Sequence, residues 1–271
     1  MRVLVTGATG QFGRALAAAA LPAGTVLRMQ GRAAAAPAWA GGFEWASADL
    51  SDGRGIDEAV SGADVIVHAA SDPRRADAVD VEGTRRLLAA AAARSVAHFL
   101  YISIVGVDRI PHPYYARKRA AEEVVAAGRV PWSILRLTQF HSFVAHIIKR
   151  AVRAPFVMLL PRHFQFQNVD LSDAAARALR AIVAGPAGAL PDYGGPEVLT
   201  LGEAAATWRR VRGVSKPIVN LPMFGRRAAA FRAGWNTAPA GERGVVTFGE
   251  WLGQRRAERL PPHDLDRKSV V

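Results

Sequence analysis

The stretch Thr6-Gly7-Ala8-Thr9-Gly10-Gln11-Phe12-Gly13 follows the short apolar run of residues 1–5 and precedes an Ala/Leu-rich run over residues 14–21. This order predicts a strand, a glycine-rich turn and a helix. Gly7 permits a tight turn with positive φ, Gly10 lets a pyrophosphate approach the backbone, and Gly13 lets helix and strand pack closely. The helix N-terminus offers N–H groups and a partial positive charge to phosphates. We therefore expect a dinucleotide site in this turn, with Thr9, Gln11 and Phe12 among its contacts.

The composition narrows the possible classes of protein. The chain has 271 residues, of which 50% are hydrophobic, and no cysteine, which excludes disulfides, thiolate metal sites and thiol nucleophiles. No apolar run approaches the roughly 18 residues that cross a bilayer, and no signal-peptide pattern opens the chain. We expect a cytoplasmic protein without a membrane partner. The net charge of +12 leans towards residues 201–271, with 13 Lys+Arg against 6 Asp+Glu. Nucleic-acid binding is disfavoured because no nucleic-acid motif accompanies this charge.

Strand and helix patterns alternate along the first half of the chain. They predict an α/β protein with a Rossmann-type, doubly wound parallel sheet. Ligands of such sheets bind at the carboxyl ends of the strands. This rule places on one rim the glycine turn and the residues that end the later strands, namely Arg32, Asp49, Ala69, Ala70, Ser71, Ser103 and Leu137. We expect a dinucleotide-binding core over residues 1–140, an interleaved small C-terminal substrate lid over 141–260, and a flexible tail over 261–271.

The end of the second predicted strand bears on the choice of cofactor. In these folds an acidic residue there accepts a hydrogen bond from the ribose of NAD, whereas an arginine accommodates the 2′-phosphate of NADP. No Asp or Glu occurs between positions 14 and 43, and Arg32 occupies the discriminating position, with Arg28 a weaker candidate. NADP is therefore favoured over NAD. No metal site is expected, because His68 has no second ligand at metal spacing and is interpreted as a packed histidine.

A tyrosine and a lysine one helical turn apart could perform chemistry. Tyr114 and Lys118 are at i and i+4, and a nearby ammonium lowers the pKa of a phenol. Such a tyrosine can donate its proton to a carbonyl oxygen as hydride arrives. Ser103 could orient the same oxygen, and Lys118 could also hold the nicotinamide ribose. Residues expected around the nicotinamide and substrate are Tyr115, which competes with Tyr114, and then Gln139, Phe140 and His141, the last an alternative proton donor.

Several motifs in this order resemble a known family: the glycine turn, Val81-Glu82-Gly83-Thr84, Tyr101-Ile102-Ser103, Tyr114-x-x-x-Lys118 with Ala121-Glu122, and Trp132-Ser133-Ile134-Leu135-Arg136. Together they resemble an atypical or extended short-chain dehydrogenase/reductase, and most of all its NmrA-like NAD(P)H-binding branch. The resemblance covers roughly residues 1 to 200. It implies Tyr114 as acid/base, Lys118 as its partner and ribose ligand, and Asp49 with Leu50 as the adenine contact.

The resemblance leaves two functions open. One is an NADP-dependent oxidoreductase that transfers hydride to or from a small-molecule carbonyl or conjugated acceptor. The other is a non-catalytic NADP(H)-binding regulator that senses redox state, because some NmrA-like proteins bind the dinucleotide without turning it over. The chain also departs from the family pattern, since Ser103 is followed by Ile104 rather than a second hydroxyl residue. A homo-oligomer or a protein partner remains open.

Overall fold

A computed structural model describes residues 1–255 and confirms the α/β, Rossmann-like architecture. Its strands are β1 Arg2–Thr6, β2 Val26–Gly31, β3 Glu44–Ser47, β4 Val65–His68, β5 His98–Ile104, β6 Trp132–Leu137, β7 Met158–Leu160, β8 Gln165–Phe166, β9 Gly188–Ala189, β10 Tyr193–Gly194, β11 Leu199–Thr200, β12 Ile218–Asn220 and β13 Glu242–Arg243. Its helices are α1 Gln11–Ala17, α2 Ile56–Val60, α3 Glu82–Ala93, α4 Pro113–Ala126, α5 His141–Val152, α6 Leu171–Ala184, α7 Leu201–Arg212, α8 Arg226–Arg232 and α9 Phe248–Gln254.

The chain forms two interleaved compact units. The first comprises Met1–Ser103, Ala116–Arg136 and Ala174–Leu190. The second comprises Ile104–Tyr115, Leu137–Asp173 and the described residues from Pro191 onward. The expected tail, 261–271, lies outside the described residues. Each unit is therefore assembled from three separate segments of the chain.

The first unit is built on a sheet with the strand order β3-β2-β1-β4-β5-β6-β9. Pairing is parallel from β3 through β5 and again between β6 and β9. The apolar strand runs are buried on both faces, as parallel sheets require. Their core contains Leu4, Ile66 and Phe99 from the strands, with Leu87 and Val125 from the helices. Because β2 and β4 flank β1 on opposite sides, the order reverses at β1, which is where doubly wound sheets bind ligands.

The second unit has a separate apolar core. Ile148 of α5, Met158 of β7, Trp208 of α7 and Trp251 of α9 are buried together. Two small sheets support them, a parallel β7–β12 pair and an antiparallel β8–β11 pair. α7 begins at a reciprocal cap in which Thr200 and Glu203 exchange side-chain and backbone hydrogen bonds. Within residues 1–255 no helix is long and apolar enough to cross a membrane.

Candidate functional site

The glycine turn lies at the reversal point of the first unit's sheet. Gly7 has φ of +69°, and an added Cβ would lie 2.7 Å from the Cα of Ala70, at the end of β4. An added Cβ at Gly13 would lie 2.6 Å from the Cα of Ala8. These two glycines are therefore needed for close packing between the turn, β4 and α1.

Gly10 differs from its two neighbours in the motif. It is exposed, and an added Cβ would lie 3.1 Å from the carbonyl oxygen of Gly7, a tight contact but a longer one than at Gly7 or Gly13. Internal packing therefore restricts this position less than it restricts the other two glycines. A bare, accessible backbone at the start of α1 fits the approach of a pyrophosphate, as the motif predicts.

The predicted adenosine end of the site contains a charged pair. Arg32 is exposed directly after β2, and it acts electrostatically on Asp49, which follows β3. Burial raises the pKa of Asp49, but hydrogen bonds from the backbone and hydroxyl of Ser51 outweigh it, so the pKa lies below its usual value. Arg28, the weaker candidate, instead binds Glu44 at 3.0 Å. Leu50 is buried in the apolar core.

A buried polar chain connects β1, β4 and α3. His68 lies within 2.6 Å of the Thr6 hydroxyl and 2.8 Å of the Thr84 hydroxyl. Burial, with a smaller contribution from Lys118, lowers the pKa of His68 to about 3. The ring is therefore neutral and packed, which confirms its interpretation as a structural histidine. Ala69, Ala70 and Ser71 follow it at the strand end, where Ala70 donates its backbone N–H to Thr6.

Lys118 is buried in the first unit, with a residue exposure of 3%. Its Nζ donates to the carbonyl oxygen of Ile102 at 3.0 Å and lies 4.3 Å from the ring centroid of Tyr101. The carboxylate of Asp80 is 3.8 Å away. Burial lowers the pKa of Lys118, and the nearby charges of Asp80 and Glu122 partly oppose that shift. The ammonium is thus held beside the carboxyl end of β5.

Ser103 and its neighbours form a second buried polar cluster. The Ser103 hydroxyl donates to Oε1 of Glu122 at 2.6 Å. The same carboxylate receives two hydrogen bonds from Arg136, at 2.8 and 2.7 Å. The predicted substrate-orienting hydroxyl is therefore engaged by a carboxylate of α4 in this structure.

The two tyrosines belong to the second unit and differ in their surroundings. The Tyr115 hydroxyl accepts a hydrogen bond from Nε2 of Gln139 at 3.0 Å. Burial raises the pKa of Tyr115 to about 12, although the bond from Gln139 lowers it slightly. Tyr114 is also buried, and its backbone N–H donates to Nδ1 of His112. A phenol with a raised pKa is a weak acid, which disfavours Tyr115 as the proton donor.

The residues after β6 extend this second-unit cluster. Leu137 ends β6 and pairs with Tyr193, while Phe140 forms a bridge with Val169. His141 packs against the rings of Phe248 and Trp251, with centroids 5.6 Å away in each case, and its Nε2 lies 3.0 Å from the carbonyl oxygen of Val246. Burial lowers the pKa of His141. Its ring is therefore held within the apolar core of the second unit.

Comparison with known proteins assigns the family. Residues 7–150, more than half of the chain, match the model of a family described as NAD(P)H-binding. The chain belongs to the NAD(P)H-binding family. It is 30% identical over 214 residues to (4-alkanoyl-5-oxo-2,5-dihydrofuran-3-yl)methyl phosphate reductase of Streptomyces griseus, covering 78% of this chain and 74% of the relative. It is 24% identical over 255 residues to the photosystem II assembly factor Ycf39 of Cyanophora paradoxa, covering 88% and 78% of the two chains.

Solved structures share the fold of this NAD(P)H-binding protein. A short-chain dehydrogenase/reductase superfamily protein of Agrobacterium tumefaciens with bound NAD has a TM-score of 0.70 at 22% identity, covering 94% of this chain and 95% of the other. The NADPH-dependent quinone oxidoreductase QOR2 of Escherichia coli, complexed with NADPH, has a TM-score of 0.74 at 18% identity, covering 93% and 99%. These likenesses show the fold that is expected of an atypical short-chain dehydrogenase/reductase. They leave the choice between NADP and NAD open.

Sequence reasoning missed several polar groups of this NAD(P)H-binding protein. Asp80 is fully buried, and it accepts hydrogen bonds from the Ser71 hydroxyl and the Asp72 backbone besides facing Lys118. In the second unit, Asn168 is buried with both amide atoms lacking a hydrogen-bond partner among the described residues. Asp80 directly precedes the Val81-Glu82-Gly83-Thr84 motif, and Asn168 belongs to no motif.

Proposed function

We propose that this protein is an NADP-dependent reductase that delivers hydride to a conjugated or carbonyl-containing small molecule. The observation that carries the proposal is Lys118, a buried ammonium beside the end of β5 and one helical turn after Tyr114 on α4. Strongly perturbed, buried ionisable groups at strand ends are characteristic of reaction sites. Family membership supplies the redox chemistry to which such a group would contribute.

The cofactor would be held mainly by backbone and by one arginine. The accessible backbone of Gly10 would face the pyrophosphate, and Arg32 would donate hydrogen bonds to the 2′-phosphate that distinguishes NADP. Asp49 would contact the adenosine. When bound, the nicotinamide supplies the hydride. The absence of an acidic residue between positions 14 and 43 supports NADP over NAD.

Proton transfer would fall to Tyr114. Its phenol would donate to the substrate oxygen, and the positive charge of Lys118 would lower the cost of leaving a phenolate. Tyr115 is the poorer donor, because burial raises its pKa to about 12 and Gln139 occupies its hydroxyl. Ser103 would orient the substrate only after exchanging its bond to Glu122.

The substrate class follows from the Streptomyces griseus relative. Its name describes an oxo-dihydrofuran ring that carries an alkanoyl group and a methyl phosphate. By analogy, we infer that the substrate of this protein contains a carbonyl conjugated to a ring double bond.

The test compares two tyrosine variants in an NADPH-oxidation assay on butenolides and quinones. Tyr114→Phe is expected to lower kcat by about 100-fold or more, the usual contribution of a positioned acid, while NADPH affinity is unchanged. Tyr115→Phe, the matched control, should retain most of the activity. If Tyr114→Phe is as active as the native chain, the proposed acid is wrong. If neither variant nor the native chain oxidises NADPH with any acceptor, the reductase itself is excluded.

The second candidate is a regulator that binds NADP(H) without turning it over. The engagement of the Ser103 hydroxyl by Glu122 favours it, because that hydroxyl is then not directed at a substrate. A regulator would bind NADPH and NADP with different effects on a protein partner and would be insensitive to Tyr114→Phe. The acceptor screen described above separates the two functions.

A further inference from the structure

A cavity of about 210 Å³ lies in the second unit, and none of its lining residues belongs to the candidate site. The turn of residues 161–164 forms one wall, and residues 220–224 with Arg232 form the other. The backbone fixes these walls, since Leu221 donates its N–H to Leu160 and Phe164 donates to Pro161. Because a water in the liquid occupies about 30 Å³, the space equals roughly seven waters and would hold a small organic group.

Apolar side chains dominate the walls and are exposed to an unusual extent. Leu221 and Met223 are more than 40% exposed, and Phe224 is 87% exposed. Phe164 is buried at the cavity wall and stacks on Phe231. Exposed apolar clusters of this kind mark ligand-binding grooves or interaction surfaces. This wall would receive a hydrocarbon chain or an apolar ring.

Two basic side chains, His163 and Arg232, also line the cavity. Nη1 of Arg232 donates to the carbonyl oxygen of Met223 at 2.7 Å, and Arg232 makes no ion pair with any of the described residues. No Asp or Glu is among the described residues that line the cavity. An anionic group brought to this cavity would therefore meet positive charge without a competing carboxylate.

We propose that this cavity binds an amphiphilic anion, a phosphate monoester with an apolar chain. The phosphate would pair with Arg232 and His163, and the chain would cover Met223 and Phe224. The binding of the anion can be measured without turnover, so it can be tested independently of the proposed function.

The binding test uses calorimetry on the full chain with NADPH, and octyl phosphate, octanol and inorganic phosphate as probes. Octyl phosphate is expected to bind about tenfold or more tightly than either simpler probe, because it satisfies both the charge and the apolar wall. Arg232→Gln should weaken octyl phosphate by a similar factor, whereas Arg210→Gln, an exposed arginine outside the cavity, should not. Phe224→Ala should also weaken it, with Phe156→Ala as the control for an exposed phenylalanine elsewhere.

The possible outcomes separate this inference from the proposed function. Equal affinity for octyl phosphate and octanol, or equal losses in Arg232→Gln and Arg210→Gln, would overturn the anion site while leaving the reductase intact. An inactive protein that still binds octyl phosphate through Arg232 would refute the reductase and keep the anion site. Thermal unfolding of each variant shows whether a loss reflects misfolding.

Discussion

The buried pair of Lys118 and Asp80 gives the sharpest prediction about this protein. Asp80→Asn keeps the shape of the side chain but removes the carboxylate 3.8 Å from the ammonium. Lys118 and Asp80 are both within the buried core, at 3% and 0% exposure. The substitution therefore leaves an ammonium in the interior with its nearest opposite charge removed.

The expected loss of stability follows from the burial of both partners. Breaking a buried ion pair costs about 3–5 kcal/mol, because the remaining charge is desolvated without compensation. The partial hydrogen bonding that Asn retains with Ser71 and Asp72 favours the lower end. A loss of about 3 kcal/mol lowers the thermal midpoint by roughly 6–12 °C for a chain of this size.

The stability lost in Asp80→Asn should depend on pH in a definite direction. Burial already places the pKa of Lys118 below its unfolded value, and losing Asp80, whose charge raises that pKa, lowers it further. Between the folded and unfolded pKa values the unfolded chain binds a proton that the folded chain does not, so stability rises with pH. In the variant this range begins at lower pH. The stability deficit relative to the native chain should therefore narrow as pH rises towards about 10, the unfolded pKa of lysine.

The assay is denaturant unfolding at several values between about pH 6 and pH 9, with Asp77→Asn as control. Asp77 pairs with Arg117 but is 76% exposed, so its loss should cost at most about 1 kcal/mol. Adding Lys118→Met to Asp80→Asn should recover much of the loss, because no unpaired charge then remains. The reasoning fails if the two aspartate variants lose the same stability or if the deficit of Asp80→Asn is independent of pH.

Three further predictions concern the cofactor site and its surroundings. Gly7→Ala should unfold more easily than the native chain because of its positive φ and the 2.7 Å contact, whereas Gly10→Ala should lose less stability than Gly7→Ala and bind NADPH more weakly by fluorescence titration. Arg32→Ala should weaken the binding of NADPH far more than the binding of NADH, and the exposed Arg54→Ala is the control. Equal losses of affinity for the two cofactors in Arg32→Ala would exclude a 2′-phosphate contact. Ser103→Ala should cost about 1.5–3 kcal/mol, since its hydroxyl binds a buried carboxylate. Turnover should stay within about threefold, and a larger fall in kcat would show that the hydroxyl acts on substrate.

The parts of the fold that the sequence predicted have strong local signals. β1, β4 and β5 are continuous apolar runs, and the turn at Gly7 is bounded by a strand and a helix, so composition and spacing suffice to locate them. The Gly/Pro-rich interval 185–196 contains β9, which pairs with β6, and β10, whose Tyr193 pairs with Leu137. Strands of two residues have no periodicity, and only pairing with a distant partner defines them.

The candidate site also contains residues that the sequence predicted and residues that only the fold brings together. Tyr114 and Lys118 were identifiable because four residues separate them on one helix. The partners of Lys118 were not, because Asp80 reaches it from a segment 38 positions earlier that only the fold brings near. The start of α6 shows a similar limit. Asp170 accepts the Ser172 N–H, while Asp173 instead accepts the backbone N–H groups of residues 245 and 246.

The proposed function gives the buried ammonium of Lys118 a role beyond cofactor binding. The glycine turn and Arg32 would bind the dinucleotide equally well in a reductase and in a regulator, so cofactor affinity does not distinguish them. A buried ion pair is often no more stabilising than apolar residues of the same volume, and it requires Asp80 and the carbonyl of Ile102 to be held in place. A protein that only binds NADP(H) gains nothing in fold stability from this arrangement. Under the proposed function, the ammonium of Lys118 would help to stabilise a phenolate at Tyr114, and this role would be a physical reason to maintain the pair.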